Sequence, residues 1–145
     1  MKHKLLLPVI LTSLTLLPGS FPLAQGPNAI ELVAGMIPLA EGAQAYCESV
    51  QPGAGAAIAR AVAALKRGQD EYVAWMVKQP IYQQTKKMVA DDMPRDPAAF
   101  LRRYGPESSC ENLPQTLAAY QPFLAGELAS PQWQEIKKLT MPSRW

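Results

Sequence analysis

The chain has 145 residues, with 14 Lys and Arg, 12 Asp and Glu, one His, two Cys and a formal charge of +2. That length fits one ordinary domain able to bury a real core. A charge so close to neutral gives no basis for nucleic-acid binding, which needs a basic patch to neutralise phosphates.

Lys2, His3 and Lys4 form a short positive stretch, and Leu5 to Leu17 follows as an apolar run of 13 residues. Pro18-Gly19 breaks it, and small residues come next. This order is that of a secretory signal peptide, and the run is too short to span a bilayer, which takes about 20 residues. Cleavage after Ala24 is the first expectation and after Ser20 the second. The expected division is therefore a signal peptide over 1–24 and a single helical domain over 25–145. No cysteine follows the apolar run, so no lipid anchor is expected. Lys2 and Lys4 leave with the signal, so that 12 basic residues face 12 acidic ones in the mature chain. His3 leaves too, and with it the usual general base near neutral pH and the commonest metal ligand.

Cys47 and Cys110 are the only cysteines. In an exported chain two cysteines read as one disulfide. It would close a loop of about 64 residues, worth on the order of 4 kcal/mol by chain entropy. A redox pair usually sits as C-x-x-C, and a metal site needs more ligands.

Taken in chain order, the mature part reads as all-α: a small bundle of about five to six helices, kinked or separated at prolines and closed by the disulfide. Asn28 and Glu31 stand at capping-box spacing. Ile30, Val33, Ala34 and Ile37 make one face. Pro38 should break or kink that helix, with continuation through Ala40, Ala43, Tyr46 and Cys47. Gln51-Pro52-Gly53 ends the unit. Ala54, Ala57, Ile58, Ala61, Val62 and Leu65 form the clearest helical stripe, with Lys66, Arg67 and Gly68 as its end. Asp70 caps a third helix burying Tyr72, Val73, Met76, Val77 and Ile81, kinked or split at Pro80 and running to Val89. Asp91 to Asp96 reads as a polar turn. Asp96-Pro97 opens a short helix stopped by Gly105-Pro106. Leu113, Leu117, Tyr120, Leu124 and Leu128 mark another, with a kink at Pro122. Ser130-Pro131 starts the last, with Trp133, Ile136 and Leu139, and Met141 to Trp145 is a tail.

Each constellation with chemical potential has a plainer reading. Asp91-Asp92 lacks the glycine-centred loop of a calcium site. Lys86-Lys87, Arg102-Arg103 and Lys137-Lys138 read as solvated helix faces, although together they could meet an anion. Glu41 and Glu48 fall seven apart without a His or Tyr partner. Ser108-Ser109 lacks a nucleophile elbow. Gly53-Ala54-Gly55 offers a helix N-terminus to an anion but not a P-loop. The aromatics read as core, except Trp75, which lies off the Tyr72–Val73–Met76 face. It is the first candidate for an exposed partner contact, and the terminal Trp145 is the second.

No catalytic residue, cofactor or metal site is expected. The leading expectation is a secreted or periplasmic interaction protein that binds another envelope or exported protein, in the manner of inhibitors, immunity proteins, chaperones or assembly accessories. The alternatives are a small hydrolase using carboxylates or a Ser-Lys pair, and a periplasmic carrier of a small apolar ligand.

Overall fold

A computed structural model describes residues 28–107 and 109–140, so the expected signal segment 1–24, Ser108 and Trp145 lie outside the described residues. Seven helices make up this part: α1 (Ala29–Val50), α2 (Ala54–Lys66), α3 (Asp70–Met76), α4 (Pro80–Asp92), α5 (Pro97–Tyr104), α6 (Ser109–Leu128) and α7 (Pro131–Thr140). The fold is a small all-α bundle closed by one disulfide, as the periodicity predicts. Among the described residues no helix is long and apolar enough to cross a membrane.

Helix α1 is the axis of the bundle and packs against α2, α4 and α6. The Asn28 side chain accepts from the Glu31 N–H at 3.1 Å and starts it. The helix continues past Pro38 through Ala40, Ala43, Tyr46 and Cys47, the expected continuation. A proline inside a helix costs about 3 kcal/mol through the missing donor and the ring clash. Ile30, Val33 and Ile37 are fully buried around it, and each such burial is worth about 1.5–3 kcal/mol. Packing outweighs the local defect. Helix α6 likewise runs through Pro114 and Pro122, with Leu113, Leu117 and Leu124 buried along it.

The partners of α1 approach in two ways. A Cβ at Gly55 of α2 would stand 2.6 Å from the Gln44 carbonyl oxygen of α1, so glycine permits contact with backbone. On another side, a Cβ at Gly35 would lie 3.1 Å from Ile81 Cγ1, and one at Gly42 would overlap Val89 Cγ1. Rising numbers in α1 therefore meet rising numbers in α4, and the two helices run parallel. Gly35 and Gly42, seven apart, make a smooth strip against which α4 lies.

Three further devices lock the bundle. Cys47 in the last turn of α1 is bonded to Cys110 in the first turn of α6, with Cα atoms 5.2 Å apart. At the other end of α1, Ile30 is held on both sides: its N–H donates to Glu127 Oε1 at 3.2 Å, and its carbonyl accepts from the Tyr72 hydroxyl at 2.7 Å. Burial first, and the Glu127 charge second, push the Tyr72 phenol above its usual range, so it remains a donor. Finally, α7 folds over α3. The Trp133 ring sits 5.5 Å from Trp75 and 6.0 Å from Tyr72, edge-on to both, while Lys137 lies over Trp133 and reaches Glu71 at 3.0 Å.

This arrangement corrects the expectation of an exposed Trp75, which is only 4% exposed. A helix as short as α3 has neighbours on two sides. Tyr72 points at α1, and the side carrying Trp75 is covered by Trp133 of α7, a contact that local periodicity does not encode. The polar turn expected from Asp91 is also shorter, because α4 extends through Asp92.

Candidate functional site

The parallel approach of α1 and α4 closes at the glycine strip and opens on one flank into a groove of about 610 Å³. One wall is α1, through Leu32, Met36 and Leu39. The other is α4, through Pro80, Ile81, Thr85 and Met88. Trp75 closes one side from α3 and Tyr104 another from α5. Residues 31 to 39 span about 12 Å of helix, as do 80 to 88, so the groove is roughly two turns long. The lining is mostly apolar, and Glu31, Gln79 and Thr85 are its polar residues. Ile81 and Tyr104, each 44% exposed, stand at the rim.

Why α1 presents this second face is visible in its residues. Ile30, Val33, Ala34 and Ile37 fill the core. Leu32, Met36 and Leu39, at i, i+4 and i+7, form another apolar stripe beside the first. A helix with so wide an apolar surface needs cover on several sides, and α4 covers only part of it. The two methionines give the walls adaptable side chains.

Other sequence candidates are occupied by the protein's own groups. Glu41 and Glu48 are on one helix but act separately. Glu41 meets Lys66 at 2.8 Å at the end of α2. Glu48 reaches the start of α2, accepting from the N–H groups of Gly53 at 2.8 Å, Gly55 at 2.9 Å and Ala56 at 3.3 Å. The glycine-rich entry to α2 does hold an anion, and that anion is the Glu48 carboxylate. Gly53, at φ +93°, adopts the left-handed conformation that aims its N–H there. The Gly53 hydrogen bond leads in lowering the Glu48 pKa, burial opposes it, and Ala56 and Gly55 add to it. Both carboxylate contacts suit the dipole of α2, with the acid at its N-terminus and the lysine at its C-terminus.

At least one member of each basic pair is also engaged locally. Lys87 pairs with Asp91 at 2.7 Å, Lys137 with Glu71, Lys138 with Glu135 at 3.4 Å, and Arg103 lies over the Tyr104 ring. Ser109 donates its hydroxyl proton to the Pro106 carbonyl. A second hollow of about 520 Å³ lies beside the disulfide, between Tyr46, Leu101, Arg102 and Glu107. It has mixed charge and no activated nucleophile. Among the described residues no three His, Cys, Asp or Glu side chains gather as a metal set.

The chain matches no protein-family model, no curated protein and no solved structure. The groove is the feature with an unassigned capacity, and its chemistry is that of enclosure: it can desolvate an apolar body and offers one carboxylate at its edge.

Proposed function

We propose that this is an exported, non-catalytic binding protein whose α1–α4 groove takes up a small apolar molecule. The groove is the observation that carries the reading. Small-molecule sites are concave, mostly apolar and about 300–1,000 Å³ in volume, and 610 Å³ falls within that range. Export is supported by the charged, apolar and small-residue order at the N-terminus, and by a disulfide of the kind stable in oxidising compartments.

A partner protein at the same place is the second reading. Exposed Ile81 and Tyr104 at the rim favour it, since an amphipathic helix laid in a groove uses such anchors.

The test is native mass spectrometry of the protein recovered from its source, beside titration with the uncharged fluorescent dye N-phenyl-1-naphthylamine. A bound mass and saturable dye binding are expected, and both are lost in Thr85→Trp, which fills the groove while circular dichroism stays helical. A dye that binds Thr85→Trp as well as the parent chain would refute the assignment of the groove.

A further inference from the structure

We propose that the groove selects lipophilic cations, with the Glu31 carboxylate as the counter-charge for an ammonium head group. The proposal rests on the groove reading above and adds the charge of its ligand.

Three observations point the same way. Among the residues lining the groove, Glu31 alone carries a charge at neutral pH, and none is basic. On α5, the Arg103 guanidinium is stacked on the Tyr104 ring, and neither Arg102 nor Arg103 lines the groove. Furthermore, Glu31 is exposed, and its carboxylate takes no hydrogen bond or ion pair from any described residue. The other two glutamates of α1 are spent, Glu41 on Lys66 and Glu48 on the start of α2.

A fatty carboxylate or sulfate in this groove would bring its charge toward a like charge with no donor to receive it, and like charges disfavour such a complex. An alkyl ammonium would instead bury its chain against Leu32, Met36 and Met88 and leave its head group in water near Glu31. Tyr104 at the rim is already engaged by Arg103 and Phe100, so the counter-charge for the head group is Glu31 alone. Because the carboxylate is solvated, its contribution to affinity is modest, about fivefold for an exposed ion pair. It acts on selectivity, while the apolar walls carry the binding.

The experiment compares decyltrimethylammonium, 1-decanol and decanoate, each below its aggregation threshold, by isothermal titration calorimetry on the full mature chain. The expected order is the cation tightest, the alcohol about fivefold weaker and the anion weaker again, with the spread narrowing as salt rises. Glu31→Gln should bring the cation and the alcohol to equal affinity, and Glu31→Lys should place decanoate first. Circular dichroism and thermal melts on both variants separate this from any loss of helix stability in the first turn of α1.

Equal affinities for all three in the parent chain, or an unchanged order in Glu31→Gln, would overturn the charge selection while leaving the groove as an apolar site. Absence of binding by all three would overturn the groove reading itself. Tight binding of a basic amphipathic peptide without decyltrimethylammonium binding would replace the small molecule with a protein segment. A concentration-dependent dimer that blocks titration would replace it with a second copy of the chain.

Discussion

Gly42 gives the most exacting test of how α1 and α4 meet. A methyl group there would overlap Val89 Cγ1, while Val89 Cβ at 3.5 Å and Cγ2 at 3.8 Å would remain in ordinary contact. The collision therefore belongs to one methyl group of a β-branched residue, whose side chain turns poorly within a helix. Replacing glycine by alanine inside a helix is worth about 1 kcal/mol in stability, and overpacking costs about 1–3 kcal/mol. Gly42→Ala should thus lower the unfolding free energy by about 1 kcal/mol, within a range of about zero to 2. In a Val89→Ala background the colliding methyl is gone, and the same substitution should raise stability by about 1 kcal/mol. Gly126 of α6 supplies the reference, since a Cβ there meets nothing within 4 Å, and Gly126→Ala should be stabilising in both backgrounds. Urea unfolding followed by circular dichroism measures the cycle, and a coupling of about 1–3 kcal/mol stands well above the few tenths seen between independent sites. If Gly42→Ala stabilised the parent chain as much as Gly126→Ala does, the parallel α1–α4 packing would be refuted, and the groove it creates with it.

Reducing the Cys47–Cys110 bond, which spans 63 residues of sequence, should lower stability by about 4 kcal/mol; urea midpoints with and without reductant would show this, and an unmoved midpoint would contradict it. The Glu48 pKa lies below its ordinary 4.5 in the folded protein, so its contribution is complete above pH 4.5 and disappears as pH falls through the lower folded value. Glu48→Gln should accordingly flatten the acid limb of the stability–pH curve, and an identical limb in both proteins would show the clamp on α2 to be idle. Trp133→Ala should cost about 3–5 kcal/mol and shift tryptophan emission to the red as Trp75 loses its cover; unchanged emission would place the α7 contact elsewhere.

Much of the fold is legible in the sequence because its punctuation is local. Asn28 and Asp96 cap the helices they precede, Pro97 and Pro131 open theirs, and Gly53 and Gly68 take the positive φ that ends one helix and admits the next. The disulfide follows from there being two cysteines in a chain read as exported. The misjudged positions are those where a distant element decides the outcome. Trp75 is hidden by a residue 58 positions away. The groove was missed because it exists only once α4 lies on α1. Two signals for it were nonetheless present: the second apolar stripe at Leu32, Met36 and Leu39, and the small residues Gly35 and Gly42 one heptad apart. Each reads as ordinary core until the partner helix is known.

The bond between Cys47 and Cys110 makes a covalent ring of everything from the end of α1 to the start of α6. The exposed connections at Arg67–Gly68 and Pro94–Asp96 lie within that ring, and such sites are where proteases cut first. A single cut at either would open the ring without releasing a fragment. The nicked chain would keep its mass apart from one added water, and both halves would stay tethered and packed. Damage of this kind would be invisible on a non-reducing gel and would appear as two bands once the disulfide is reduced.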